Sequence, residues 1–461
     1  MNVTKTDIIP VNQTFVHQKG AAELHWEAIC FFAAVGFFPE TDTYYKNQQV
    51  LPPGSENIID KNNYLQETKP WFEWYYKPRD ISFEKALDEF TRLFETIIAE
   101  QVENHQVILP LSGGLDSRTQ AVALKRIGAK VQAYSYSFSG GYPEYKIAAK
   151  IAKACNFPFT ALTIPYGYLW DHIETLATLN NCYTDFTHPR QMAVLDQLKS
   201  FGTLFSLGHW GDVLFDNENL GVLSHQDQVQ LVIKKIVKKG GKELAEAIWK
   251  EKELPGTFYD YLTAKISSML QTIKIEEPNA RIRAFKSKYW APRWTSVNLA
   301  VFEAAHPISL PYYDKRMCDF ICTLPEAYLA NRQLQIAYIK KQAPALAAIT
   351  WQDAKPFNLY NAHLNKVPYN LPYRIANKLK RELNNVLGKN FIRRNWELQF
   401  TLPEHQNILA SYVLSEEMNS LLSKELVMHF LTNFKEKDTV YWSHPVSMLL
   451  TLSLFAKKFN S

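Results

Sequence analysis

Cysteine is scarce in this chain and forms no pattern: Cys30, Cys155, Cys182, Cys318 and Cys322 are all there is in 461 residues. They make neither a paired disulfide framework nor a CxxC metal knuckle, and Cys318 and Cys322 stand at i,i+4 inside an apolar stretch. The expectation is five buried thiols in a reducing cytoplasm. A long apolar run is missing as well. Ile29 to Phe38 is about half the length a membrane helix needs, and MNVTKTDIIPVNQ lacks the charged-then-apolar order of a signal peptide. Charge of one sign is missing too, since 51 basic and 46 acidic residues leave only +5. That balance demands neither nucleic acid nor an anionic membrane as partner. There is no internal repeat and no low-complexity tract. These absences predict a soluble, cytoplasmic, globular protein with no nucleic-acid and no membrane partner, and 46% apolar residues are enough to bury two domains of ordinary size.

Periodicity supplies the elements. From 82 to 103, Phe83, Leu87, Phe90, Leu93, Phe94 and Ile97 recur at helical spacing behind Ser82, which predicts an amphipathic helix. Next come the strand QVILPL, a glycine turn, a helix through Lys125 closed by Gly128, the strand KVQAYSYSF, a helix over Glu144 to Cys155, and the strand FTALTI. A fourth strand, Gly202 to Gly208, ends in the turn GHWGD. Short apolar strands alternating with helices predict an α/β fold with a parallel sheet covered on both faces. From about 225 to 290, and again from 325, the pattern is mainly helical. The basic cluster Lys378, Lys380, Arg381, Lys389, Arg393 and Arg394 reads as a solvated helix face; a docking face is the other reading.

The chemistry concentrates in LPLSGGLDSRT, residues 109–119, directly after the apolar run Val107-Ile108-Leu109. Glycines let a ligand approach the main chain, and successive NH groups feeding a helix N-terminus make an anion site. A Walker loop needs GxxxxGK[ST], and no lysine follows Gly114; the dinucleotide fingerprint GxGxxG fails on spacing. What remains, Ser-Gly-Gly-Leu-Asp-Ser, resembles the pyrophosphatase-type loop of N-type ATP enzymes, which cleave ATP between the α and β phosphates. By residue type Ser112, Gly113, Gly114 and Ser117 present donors to pyrophosphate, and Asp116, which would repel phosphate, holds Mg²⁺.

Over roughly residues 24 to 360 the chain resembles the synthetase domain of the asparagine synthetase family. The carriers are AICFFAAVGFFPETDTYYKNQQVLPPG, the loop above, LGHWGDVLFD, TSVNLAVFEAAHPISLPYYDKRMCDF and QAPALAAITWQDAKPF. The resemblance implies a parallel-sheet PP-loop domain of the adenine nucleotide alpha hydrolase type with a helical C-terminal region. It divides the chain into a short N-terminal segment (1–60), an ATP-binding synthetase-like domain (61–360) and a helical extension (361–461). It implies ATP bound along Leu111 to Ser117, at Ser137 and Phe138 with Glu144 nearby, and at Gly208, with Mg²⁺ on Asp116 and on Asp212 of the second acidic loop. Two carboxylates from the ends of two parallel strands suit shared metal ions.

Departures from the family pattern point to the second half-reaction. His209 stands where asparagine synthetases carry glutamate and β-lactam synthetases tyrosine, Val213 replaces a glutamate, and Leu207 and Trp210 replace small residues. An imidazole titrating near neutrality can take a proton from an attacking amine, which makes His209 the candidate general base; the alternative is a histidine packed on Trp210 or capping the loop. Glu303 either orients His209 or pairs with Arg293. Lys355, matching the Lys-x-Phe motif, is the cation for the α-phosphate, unless it is a surface lysine before proline. Residue 2 is Asn2, where glutamine-dependent members carry the ammonia-releasing cysteine, and the stretch ahead of the synthetase-like domain is too short for a glutaminase domain. The amine is therefore expected from ammonia, a partner glutaminase or the substrate itself, as in β-lactam synthetases and lasso-peptide cyclases. The aromatic stretch Trp71, Phe72, Trp74, Tyr75 and Tyr76 lines a site for a bulky acceptor or packs a core.

The reading is an AMP-forming carbon–nitrogen ligase acting on a small-molecule or peptide carboxylate, with ammonia-dependent asparagine synthesis or macrolactam formation as variants. A tRNA-modifying enzyme of the same loop class and a nucleotide-binding protein without catalysis are the alternatives.

Overall fold

The computed structural model describes residues 14–143, 145–215, 217–386 and 391–459; Asn2, Glu144 and Lys389 lie outside them. Five parallel strands organise the chain: β1 (Val107–Pro110), β2 (Val131–Phe138), β3 (Phe159–Ile164), β4 (Leu204–Ser206) and β5 (Ile308–Ser309), in the order β3-β2-β1-β4-β5. The α/β class and four of these strands are those the sequence predicts. The fifth, two residues between the prolines of HPISLP, is too short to show a period.

Central strands of a parallel sheet are covered on both faces, and β1 shows the consequence. Its Val107, Ile108 and Leu109 are fully buried, Val107 and Leu109 into one core and Ile108 into the other. One core takes the helices that follow the first strands. Helix α1 (Trp26–Val35) belongs to the other core, and α2 (Phe83–Gln101), α3 (Asp116–Arg126) and α4 (Tyr145–Cys155) belong to the first. Ser82 caps α2 by accepting from the Lys85 amide at 3.3 Å, and Gly128, at φ +71°, closes the turn after α3.

The second core joins the two ends of the chain. Every residue from Ala28 to Val35 is fully buried there, together with residues of α7 (Thr439–Phe459), and Tyr44 stacks on Phe455 at 3.7 Å. Between these lie α5 (Ser296–Glu303) and α6 (Leu371–Val386). A π-helical segment, Lys286–Thr295, carries Pro292 and runs straight into α5. Such wide turns are uncommon and collect at functional sites.

One buried charge ties the two ends of the first core together. Arg118, on α3, is fully buried and donates to the carbonyls of Leu346, Ile349 and Thr350 at 3.2, 3.0 and 2.8 Å, and to that of Gly113 at 3.1 Å. Burial lowers its pKa to about 10, with Asp353 opposing, so the guanidinium stays charged at neutral pH. Replacing it leaves four carbonyls without that donor. Arg118→Met is expected to cost about 3 kcal/mol in a urea unfolding series; a loss within experimental error would show that the clamp contributes nothing.

Candidate active site at the switch point of the sheet

The chain leaves β1 towards β2 on one side and leaves β4 towards β5 on the other, so a crevice opens above the carboxyl ends of β1 and β4. Open α/β sheets bind ligands in such a crevice. The loop Leu111–Leu115 rises from β1 into α3, and the loop Leu207–Trp210 rises from β4 into a single helical turn, Gly211–Leu214. The two touch. A Cβ on Gly211 would lie 2.7 Å from Asp116 Cγ, and one on Gly208 3.2 Å from Asp116 Cβ. On Gly113 it would meet Gln352 Oε1 at 2.7 Å and its Cβ at 2.9 Å. Gly113, Gly114, Gly208 and Gly211 all lie outside the left-handed region. At Gly113, Gly208 and Gly211 the missing side chain therefore serves close approach rather than a special φ.

The left-handed position in the second loop is instead Trp210, at φ +73°. That conformation costs a non-glycine residue about 1 kcal/mol or more. Its indole is held by a 3.0 Å bond from Nε1 to Ser287 Oγ and by a stacked Tyr313 ring 6.2 Å away. The kink sends the neighbours of Trp210 to different places. Asp212 and Val213 face a cavity of about 910 Å³ whose walls include Arg283, Lys286, Arg332, Lys340 and Asp353. His209 faces a second cavity, of about 450 Å³, among Trp71, Phe72, Trp74, Leu299 and Tyr313. The π-helical segment forms part of both walls, Lys286 on the polar side and Ser287 and Lys288 on the aromatic side.

Asp116 is the most constrained acid of the site. Arg332 and Gln335 both donate to its Oδ1, Gln335 at 3.1 Å, and its backbone carbonyl accepts from Tyr312 Oη at 3.2 Å. Burial raises its pKa to about 6; Arg332 pulls it down and Asp212 pushes it up. Arg332 and the preceding Asn331 sit at φ +60° and +55°, two successive non-glycine residues in the left-handed region. The loop itself is internally bonded. Ser117 Oγ accepts the Ser112 amide at 3.1 Å and lies 3.0 Å from Ser112 Oγ, which takes the Gly114 amide at 3.2 Å; Gln352 Oε1 takes the Gly113 amide at 3.1 Å.

The other expected residues fall around this centre. Leu111 is buried under the loop, and Ser137 and Phe138 end β2, the next strand over. Lys355 lies partly buried, three residues beyond Gln352, on the segment bonded to Gly113. Glu303 ends α5, next to Phe302, whose ring meets His209 edge-on at 6.2 Å. Among the described residues, His209 Nδ1 is buried without a hydrogen-bond partner, as is Tyr313 Oη. Burial lowers the His209 pKa to about 4, Asp212 opposing and Arg190 reinforcing, so the ring is neutral at pH 7. Of the aromatic stretch, Trp71, Phe72 and Trp74 line the second cavity; Tyr75 Oη bonds Asp319 and Tyr76 Oη takes the Glu326 amide.

Several residues escaped the sequence reading. Arg118 had a visible signal, an arginine on an otherwise apolar helix face. Gln352 had a signal in QAPALAAITWQDAKPF, three residues before Lys355; Arg332, Gln335 and Lys340 had none, because they reach the site from helices and turns remote in sequence.

No curated protein matches the chain. Among solved structures, the U34-tRNA thiolase NcsA from Methanococcus maripaludis, with its 4Fe-4S cluster, aligns over 61% of this chain and 82% of its own, at 14% identity and a TM-score of 0.21. That overlap is too slight to bear on this chain. The family model described as asparagine synthase matches residues 89–455, which include both loops of the crevice, Glu303 and Lys355. The chain belongs to the asparagine synthase family, a family of ATP-dependent amidotransferase- or ligase-type enzymes that use small-molecule substrates and an amine donor.

Proposed function

We propose that this protein activates a carboxylic acid as an acyl-adenylate and transfers the acyl group to an amine. A carboxylate oxygen attacks the α-phosphorus of ATP and pyrophosphate leaves; the amine nitrogen then attacks the acyl carbon, and AMP leaves with the C–O electron pair. One observation carries this reading. The loop that bears Asp116 packs on the loop that bears His209 and Asp212, with a cation-lined cavity on one side and an aromatic one on the other.

The roles follow from chemistry. Ser112, Gly113, Gly114 and Ser117 exchange their internal bonds for pyrophosphate oxygens, and Leu111, Ser137, Phe138 and Gly208 border the nucleotide. Asp116 and Asp212 are the carboxylates for Mg²⁺. Among the described residues no group of three or more His, Cys, Asp and Glu side chains forms a metal site. Two carboxylates fit a hard cation that takes its remaining ligands from phosphate and water. When bound, that ion neutralises charge on the departing pyrophosphate. Lys355 balances charge at the α-phosphate.

His209 is the proton acceptor for the amine; burial makes the ring neutral at working pH but a weaker base than the near-neutral imidazole the sequence suggests, and Glu303 is a positioning residue behind Phe302. The orphaned His209 Nδ1 and Tyr313 Oη support a polar group of the substrate reaching into an otherwise aromatic cavity, since buried polar atoms are rarely left unpaired. Lys274, Lys288 and Lys315 on the same wall suit an acid with a bulky apolar body.

Exchange of labelled pyrophosphate into ATP, across a panel of carboxylic acids and peptides, tests the reading; exchange that appears only with an acid supports it. Exchange that demands RNA, or none with ATP still bound, sinks it. In the same assay His209→Ala should leave exchange intact and slow amide formation about 100-fold or more. Equal rates of amide formation would remove His209 from the reaction. For pH, the proton competes with the metal on Asp116. Affinity for Mg²⁺·ATP, read by calorimetry, is therefore expected to hold above about 6 and fall as pH drops through it. Arg332→Gln, which removes a cation that lowers that pKa, should move the inflection upward; a downward move would contradict the assignment.

A further inference from the structure

Helix α6, Leu371–Val386, is built inside out. Leu371, Ile375, Leu379 and Leu383 follow at four-residue intervals and are 43%, 51%, 65% and 61% exposed. The residues on its opposite side, Tyr373, Asn377 and Asn384, are the partly buried ones. Successive i,i+4 positions lie on one face, so the four aliphatic side chains form a continuous stripe. Val367 and Tyr369, just ahead of the helix, extend it and are 60% and 57% exposed. Contiguous apolar surface of this kind marks a contact site.

The charges around the stripe say what it contacts. The helix carries four basic residues and one acid, Glu382. At 100° per residue Arg374 and Lys378 flank the stripe on one side and Lys380 on the other, while the exposed Glu382 projects onto the stripe, beside Ile375. All three are exposed, and none pairs with a carboxylate among the described residues. A nucleic acid would want the cations at the centre of the face, where the leucines are. A partner helix docking on a leucine seam is met by flanks of mixed sign. Aliphatic residues in the middle, with Glu382 the one acid among them, and the unpaired cations Arg374, Lys378 and Lys380 at the edges leave the face net positive, which fits an anionic lipid surface, with acyl chains under the stripe and headgroups beside it.

We propose that α6 docks the protein on an anionic membrane surface. Leu371, Ile375, Leu379 and Leu383 lie at the acyl boundary, and Arg374, Lys378 and Lys380 lie among the headgroups. This revises the expectation of no membrane partner, which rested on net charge and on the length of apolar runs. Both measures are blind to a stripe spread over sixteen residues. The inference is independent of the ligase reading.

Co-sedimentation of the full chain with vesicles tests it, using phosphatidylglycerol and phosphatidylcholine in equal parts against phosphatidylcholine alone. Binding to the mixed vesicles that weakens as salt is added is the expected result, with little binding to the neutral ones. The double variant Leu379→Asp, Leu383→Asp should lose more than about tenfold in affinity, and Lys378→Glu about fivefold or more. Both sites are exposed, so melting temperature should not move. Absence of binding by the unaltered chain, or leucine variants that bind as it does, overturns the proposal. It is equally overturned if the leucine variants turn a dimer into a monomer by light scattering, because the stripe then covers a second copy.

Discussion

Two glycines packed against one carboxylate hold the active crevice together. Gly208 and Gly211 let the loop after β4 rest on Asp116; a Cβ would clash with it at Gly211, 2.7 Å from Cγ, and crowd it at Gly208, 3.2 Å from Cβ. The parallel sheet places the two loops side by side, but pairing of β1 with β4 ends at Phe205, before either loop begins. Beyond that point the contact with Asp116 sets the spacing between the two acids. Arg332 and Gln335 then fix the direction of the Asp116 carboxylate from the far side.

The left-handed Trp210 divides the second loop between two environments. Asp212 is left with cations and solvent, whereas His209 is pressed among aromatic rings. Burial strips His209 of its charge at neutral pH, and raises the pKa of Asp116 to about 6, which leaves that carboxylate mostly ionised at pH 7. On the proposed reading, a charged nucleotide and an apolar acid would take separate walls of one crevice, with the π-helical segment between them. The loop donors bond to one another and to Gln352, and Arg332 stands beside Asp116. Each of these bonds has a counterpart that phosphate or metal can supply.

The first loop was legible because its elements are continuous in sequence: Val107 to Leu109 announce a buried strand, and Ser112 to Ser117 follow within one turn. The second was legible as a short motif, GHWGD, but its consequence was not. That His209 and Asp212 face different cavities depends on the φ of Trp210, and a bulky side chain is rarely found in that conformation. The sequence accounts for the glycines by a ligand's approach to the main chain; the structure shows that Gly113, Gly208 and Gly211 also admit Gln352 and Asp116. Arg332, Gln335 and Gln352 lie more than two hundred residues from the loop they bond, so no local pattern could tie them to it. The exposed stripe of α6 was half visible: its lysines were noted as a cluster, but its leucines looked like any helix's core face.

If contact between the loops makes the metal–nucleotide site, adding one methyl group at Gly211 should damage that site specifically. Calorimetry of Mg²⁺·ATP binding to Gly211→Ala, with a urea unfolding control, measures this directly. The account requires affinity to fall by about tenfold or more while ATP binding without Mg²⁺ changes little. Unchanged Mg²⁺·ATP affinity in a folded variant would contradict it.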